Sequence, residues 1–290
     1  MFQMELNYFT VDTSFPFFIQ YGFHEEDLYL HSHKNFSELV IVLNGSATHI
    51  VNNEEFYISK GDVFIIGADT AHGYRDAHDF HICNLMFQPD FFFSNDCDIK
   101  KAPGFQGLFV IEPILSQKTS FQNRLKLDIY NYEMIQKTIN MMIKEYTSQP
   151  IGFKTLLTGS FYSLAVLLSR LYSKSEKHID NEIIGMAKSI AYIEAHYMED
   201  LTLNELAKIA SFSPRHFSRR FYEIKQTTPI QYIQTLRLEK ASYYLRNTQL
   251  PISEVAAQCG FSDSNYFSRS FKKHYAITPI QFHKKTYSKT

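Results

Sequence analysis

The chain has 290 residues, 44% of them hydrophobic and 16% aromatic, enough to build a real core and more in keeping with two domains than with one. Its three cysteines, Cys83, Cys97 and Cys259, are odd in number, widely spaced and without a CxxC pair, which argues against a disulfide framework and a thiolate zinc site. The net charge of -1 hides two opposite halves: residues 1–181 hold 14 Lys and Arg against 21 Asp and Glu, a net -7, and residues 182–290 hold 15 against 9, a net +6. A basic C-terminal third points either to a polyanionic partner or to a solvated, lysine-rich surface.

The first residues, MFQMELNYFTVD, lack the basic start and apolar run of a signal peptide, and FYSLAVLL, the most apolar helical stretch, is too short to span a bilayer. The expectation is a soluble, cytoplasmic protein. From Leu28 to Phe87 the chain reads as short aromatic and β-branched segments separated by turns: LYLHSH, ELVIVL, Asn44-Gly45, ATHIV, Asn52-Asn53, FYIS, Lys60-Gly61 and DVFII. Short strands at regular spacing predict a sandwich or barrel. His31 and His33 alternate onto one face of the first of these strands, and Glu38 opens the next.

HSHKNFSELVIVLNG followed by GDVFIIGADTAHGY resembles the two motifs of the cupin β-barrel. That topology implies that His72 lies beside His31, His33 and Glu38. Three imidazoles and a carboxylate suit zinc, iron or manganese, yet Gly67 and Asp69 stand where metal cupins usually carry Pro and Gly. Direct contacts to the hydroxyls of a ligand, a metal site and structural hydrogen bonding are the three readings. Ligand contact by His31, His33, Glu38 and His72 is the one taken, with no metal and no cofactor expected.

Residues 133–148 and 152–173 carry two helical patterns split by Gln149-Pro150-Ile151-Gly152, and the second has an apolar stripe of Leu156, Leu157, Phe161, Leu164, Leu168 and Leu171. Such a stripe needs a partner, either its own barrel or a second subunit. The polar run Ser173-Lys174-Ser175-Glu176-Lys177 reads as a linker.

Beyond it the sequence says one thing twice. FSPRHFSRRFYEIKQTTP recurs as FSDSNYFSRSFKKHYAITP, so that Phe217 meets Phe267, Arg219 meets Arg269 and Pro229 meets Pro279, the mark of a repeated supersecondary unit. In the first copy Thr202 and Glu205 have capping-box spacing, and Ser213-Pro214 supplies an N-cap and a first-turn proline. In the second, Gly260 offers the turn and Ser262 is the predicted cap. This is helix-turn-helix grammar. With the phenylalanines inward, the outward positions are Arg215, His216, Ser218 and Arg219, then Ser264, Asn265, Ser268 and Arg269, side chains able to read base edges. Ile230–Asn247 between the copies reads as one helix, long enough for the two units to reach adjacent major grooves.

The whole pattern, TLNELAKIASFSPRHFSRRF, TPIQYIQTLRLEKA and PISEVAAQCGFSDSNYFSRSFKKHYAITPIQF, resembles the DNA-binding domain of AraC/XylS-family transcription regulators over residues 182–285. Gln226 and Ala276 fall where the family often has Gly, Arg220 where an apolar residue is usual, and His283 where Arg is common. Within the family the chain is most similar to regulators of rhamnose use, through HSHKNFSELVIVLNG, the spacing of Asp69 and His72, and PGFQGLFVIEP at residues 103–113.

The resemblance implies an α+β chain: a cupin-like, effector-binding and dimerisation domain over residues 1–175, then an all-α domain over residues 182–290 with two helix-turn-helix units joined by a helix. It implies a ligand-responsive regulator, read here as an activator. Its implied partners are double-stranded operator DNA, a small-molecule effector such as a monosaccharide, a second copy of the chain and RNA polymerase. The alternatives are a metal-dependent cupin enzyme, an isomerase or dioxygenase, fused to a DNA-binding domain, and a ligand-independent architectural DNA binder.

Overall fold

Two long, bent strands organise the N-terminal half. In the computed structural model, which describes residues 2–93, 97–115, 124–175 and 180–287, β4 (Ser37–Val51) and β7 (His72–Phe87) pair antiparallel along most of their length. They run for 15 and 16 residues, where the sequence predicts short strands. The reason lies at Asn44-Gly45, which does not turn the chain. Gly45 has φ +66° and backs onto the other strand so closely that a Cβ would sit 2.1 Å from the carbonyl oxygens of His78 and Asp79. Asp76 and Asp79 also have positive φ, and the ladder shifts register between Val42 and Thr48. Such bulges bend and twist a strand, so β4 and β7 curve where a turn was expected.

The remaining strands hang on these two. They are β1 (Phe2–Met4), β2 (Phe17–His24), β3 (Leu28–His33), β5 (Glu54–Ser59), β6 (Asp62–Ile66) and β8 (Leu125–Lys126). The sheet order is β1-β3-β7-β4-β6-β8, with β2 also on β7 and β5 also on β4. Asn52-Asn53 does make the predicted turn: both have positive φ and close the two-residue β4–β5 hairpin, the geometry that matches strand twist. Inside lie Val40, Val42, Phe64, Ile66, Phe80 and Ile82, all nearly inaccessible.

After β7 come α1 (Pro89–Phe92) and the stretch PGFQGLFVIEP, which is helical throughout: α2 (Pro103–Phe105), a π-helical segment (Gln106–Ile111) and α3 (Glu112–Leu115). Then follow α4 (Ile129–Ser148) and α5 (Phe153–Lys174), parted where Gln149 and Gly152 turn left-handed. The apolar stripe of α5 is largely spent within its own unit. Leu157, Phe161, Leu164 and Leu168 are buried, and the Phe161 ring lies 4.8 Å from Phe87, 4.9 Å from Phe92 and 5.6 Å from Phe17. Leu156, expected in that stripe, is instead 46% exposed. Ser173 and Lys174 belong to α5 rather than to a linker, and Glu176 and Lys177 lie outside the described residues.

The chain divides into two compact units, one of Met1–Ser94 and Ala102–Ala187, the other of Asn95–Lys101 and Lys188–Thr290. The partition falls within α6 (Asn181–His196). The second unit continues with α7 (Leu203–Ile209), α8 (Pro214–Lys225), α9 (Pro229–Asn247), α10 (Ile252–Gln258), α11 (Ser264–Tyr275) and α12 (Pro279–Tyr287). The capping box Thr202/Glu205 forms as its spacing predicts, and Thr228/Gln231 makes a second at the start of α9. Gln226 and Ala276 sit at the C-caps of α8 and α11 with φ +53° and +63°, the left-handed slot that glycine fills most cheaply. Arg220 reaches back to Glu223, and His283 Nδ1 lies 2.8 Å from the Leu245 carbonyl oxygen. Among the described residues no helix is long and apolar enough to cross a membrane.

Buried Glu112 ties α3 to α5, accepting a hydrogen bond from Tyr172 at 2.6 Å. Burial pushes its carboxyl from 4.5 up to about 8. The folded protein therefore holds a proton that the unfolded chain releases, and the stabilisation is whole below pH 4.5 and lost as pH rises towards about 8. Glu112→Gln removes this titration, so the fall of the melting midpoint across that window flattens; an unaltered slope contradicts the assignment.

Candidate functional site

Two places gather polar side chains with work to do, one in each unit. In the first, β3 carries His31 and His33 on one face, and strand pairing delivers the rest. His31 is the ladder partner of His72 on β7, whose other neighbour is Val51 on β4. Glu38, near the start of β4, lies opposite Met86 of β7 and Ile66 of β6. All four sequence-predicted residues are buried, and each offers a ligand atom within 4.8 Å of the others. His33 Nε2 lies 3.2 Å from His72 Nε2, and Glu38 Oε2 lies 3.4 Å from the first and 3.6 Å from the second. His31 Nδ1 is 3.1 Å from the Tyr29 carbonyl oxygen. A carbonyl can only accept, so Nδ1 carries the proton and Nε2 a lone pair.

Burial sets the charge of this cluster. With little water to solvate an ion, His33 is pushed down to about 3, His31 and His72 are lowered as well, and Glu38 is pushed up to about 8. At neutral pH it presents neutral imidazoles and a protonated carboxyl, groups that exchange hydrogen bonds with a neutral polar molecule. Three imidazole nitrogens and one carboxylate oxygen at this spacing also fit a zinc, iron or manganese ion in donor type and number. The loop before His72 departs from metal cupins yet keeps its course: Asp69 adopts φ +61°, its N–H donates to the His33 carbonyl at 2.6 Å, and its carboxylate accepts from Gln3 Nε2 at 3.0 Å.

The cluster lines a cavity of about 160 Å³, the size of an engineered hole that accepts a benzene-sized guest. Sequence reasoning missed much of its wall. Met4 and Phe9 reach it from the N-terminal residues, Gln20 and His24 from β2, and Tyr74 and Asn84 from β7. His49, fully buried, stacks on Phe64 at 4.7 Å and lies 5.7 Å from the His72 ring. Alternation from Ala47 through His49 to Val51 could have flagged it. His33 Nδ1, His72 Nδ1, Tyr74 Oη and Asn84 Oδ1 are buried and lack a hydrogen-bond partner, an expensive condition that calls for a guest or a water.

In the second unit the repeated motif folds as two helix-turn-helix units. Phe217 and Phe221 are buried under α8, and Phe267 and Phe271 under α11. The opposite faces carry the candidate readers. Arg215, Arg219, Ser264, Asn265 and Arg269 are exposed, and His216, Ser218 and Ser268 half-buried. In the second turn Gly260, at φ +82°, passes so near the chain that a Cβ would lie 2.6 Å from the Met198 carbonyl oxygen. The predicted cap is displaced by one residue: Asp263, not Ser262, accepts from the N–H groups of Asn265 and Tyr266, at 2.6 and 2.9 Å. A carboxylate reaches two donors and favours the positive end of the helix.

Residues 17–158 match the AraC-like ligand binding domain, and residues 206–285 match a helix-turn-helix domain. The chain belongs to the AraC family. It is a transcription regulator, with a ligand-binding domain followed by a DNA-binding one. Among its relatives, the HTH-type transcriptional activator RhaR of Escherichia coli O139:H28 is 27% identical over 260 residues, 89% of this chain and 88% of that protein. RhaR of an Enterobacter species is 28% identical over 266 residues, 87% of this chain and 86% of its own. Of solved structures, the C-terminal domain of the two-component response regulator yesN from Fusobacterium nucleatum is 35% identical, covering 33% of this chain and 93% of that one, with a TM-score of 0.32.

The displaced cap can be checked. Asp263→Ala should speed amide exchange at the start of α11, because two N–H groups lose their acceptor, while Ser262→Ala leaves it unchanged. Equal effects at the two positions go against the assignment.

Proposed function

We propose that this AraC-family chain is a cytoplasmic, sugar-responsive transcription activator. Residues 1–175 bind a monosaccharide, and residues 182–290 bind operator DNA. The cavity carries the reading: it is ringed by neutral histidines, a protonated carboxyl and buried polar atoms without partners, which a polyhydroxyl guest satisfies with hydrogen bonds while its ring faces Phe9 and Tyr74. The similarity to the transcriptional activator RhaR supports an activator, and the resemblance of the barrel motifs to regulators of rhamnose use makes a deoxyhexose the first sugar to try. His31, His33, Glu38 and His72 contact the ligand. Arg215, His216, Ser218, Arg219, Ser264, Asn265, Ser268 and Arg269 face the bases. A homodimer and RNA polymerase complete the assembly. The effector acts by binding two arrangements of the dimer with unequal affinity, since equal affinity shifts nothing.

The rival is a metal-dependent enzyme, favoured by the donor set alone. It gives no role to a basic second unit with a doubled DNA-binding motif, so the proposal assigns no catalysis. Two measurements on the same purified, unchelated protein separate the readings. Elemental analysis should find less than one equivalent of transition metal, and calorimetry should find binding of rhamnose or a related deoxyhexose. His33→Ala should then abolish the sugar response and spare DNA affinity. A full equivalent of iron or manganese together with turnover of a sugar overturns the regulator-only reading.

The reading helices make a separate prediction. Arg215→Ala and Arg269→Ala should each relax preference at one base pair, at about 1–3 kcal/mol if the contact is bidentate. Lys272→Ala should weaken all sequences alike. Uniform losses for both arginines across an operator mutation panel defeat the assignment.

A further inference from the structure

The first unit holds a second hollow, on the other face of β2. It has a volume of about 300 Å³, against about 160 Å³ for the cavity of the histidine cluster. Strand β2 walls both: Gln20, Gly22 and His24 border the inner cavity, and Tyr21 and Phe23, which alternate with them, border the outer one. Helix α4 closes the far side with Tyr132 and Gln136, and Lys60 reaches in from the turn between β5 and β6. We propose that this outer pocket is a second small-molecule site, for a small aromatic carboxylate. It stands apart from the sugar reading, since the two cavities share no wall residue.

Three observations give the class of guest. First, the walls carry one ammonium and no carboxylate. Lys60 Nζ lies 4.8 Å from the centre of the Tyr132 ring and, among the described residues, pairs with no carboxylate. Asp79, beside the wall residues Asn44 and His81, is already engaged: its carboxylate accepts from Asn44 Nδ2 and lies 3.2 Å from His81 Nε2. The pocket therefore attracts a negative group to Lys60.

Second, the strand side is aromatic. The Phe23 and His81 rings meet edge to face at 4.7 Å, and Tyr21 lies 6.4 Å from Phe23. Phe23 is 65% exposed, a large apolar ring left to water at a pocket that a flat guest covers. A hole of about 150 Å³ already accepts benzene, so this space has room for one ring and its substituent. Third, the walls are fixed in place. Tyr132 is buried and its Oη donates to the Leu43 carbonyl at 2.6 Å, while Tyr21 Oη donates to Asn140 Oδ1 on α4. Both phenol protons are spent, so recognition of charge falls to Lys60 with the Gln136 amide beside it. A neutral ring forgoes the ion pair, and a bare carboxylate forgoes the burial of a ring.

The test uses the full chain, with benzoate as the probe and calorimetry as the readout. Wild type should bind one equivalent. Benzamide, the same ring without the charge, and acetate, the charge without the ring, should each bind at least about tenfold more weakly. Lys60→Gln should weaken benzoate about tenfold and Phe23→Ala several-fold. Both side chains are exposed, so both variants should keep the wild-type melting midpoint. His33→Ala, in the inner cavity, should leave benzoate binding unchanged. Absence of saturable binding by wild type overturns the site. So does benzoate binding that survives Lys60→Gln, or that His33→Ala removes, which places the guest in the inner cavity. Acetate as tight as benzoate makes the pocket a plain anion site and overturns the class. Loss of a dimer in Lys60→Gln, with wild type indifferent to benzoate, gives the pocket to a second copy of the chain and overturns the proposal as well. If benzoate binds as expected and no sugar does, the sugar reading alone has failed.

Discussion

Desolvation governs the N-terminal unit, because His31, His33, Glu38 and His72 sit within 4.8 Å of one another where water cannot screen them. Ions crowded so closely in a low-dielectric space cost several kcal/mol each unless paired, so the cluster survives by shedding charge: imidazoles lose their protons and the carboxyl keeps its own. The cavity is therefore polar without being ionic. That state depends on the strands. β3, β4 and β7 hold the four side chains at ladder positions, and the curvature of β4 and β7 rests on the close approach of Gly45 to the Asp79 carbonyl. A side chain at that glycine reaches the cavity through the backbone, although it touches none of the four residues.

The second unit solves a different problem, placing two similar helices from one chain. Its two copies share a core, with Phe217 and Phe221 in one and Phe267 and Phe271 in the other, and they share a left-handed C-cap held by Gln226 and Ala276. Neither residue is a glycine, so each cap stores a backbone cost of about 1 kcal/mol that the following Thr-Pro start and its helix must offset. The copies differ in electrostatics. In α8 the carboxylate, Glu223, sits within the helix and pairs with Arg220, whereas in the second copy it stands at the N-cap of α11 as Asp263. What is repeated is the scaffold; what each copy presents to a polyanion is not.

Much of this was legible in the residues, and the boundary of legibility follows contact range. The helix-turn-helix pairs could be read because caps, turns and apolar spacing act within one or two helical turns: Thr202 with Glu205, Ser213 with Pro214, Gly260 at its turn. His31 and His33 could be placed on one face because strand alternation is local. The cap at Asp263 rather than Ser262 escaped, since both residues can cap and backbone geometry chooses between them. Tyr74 and Asn84 escaped because nothing near them in sequence says which strand lies opposite.

By itself the sequence determined the two kinds of domain, the doubled motif, the opposite charges of the halves and the shared face of His31 and His33, all of which rest on composition and short-range spacing, while His72 joined them only through the resemblance to the cupin barrel. Tertiary structure alone decided that Asn44-Gly45 bends a strand instead of turning it, that β1 pairs parallel with β3 across Phe2 and His31, that α5 spends its stripe on Phe17, Phe87 and Phe92, and that four histidine and glutamate side chains share one cavity with Tyr74 and Asn84. Each of these depends on what stands across a gap from the residue, on the carbonyl facing Gly45 or the ring facing Phe161. Such contacts join positions dozens of residues apart, and only the closed sheet brings them together.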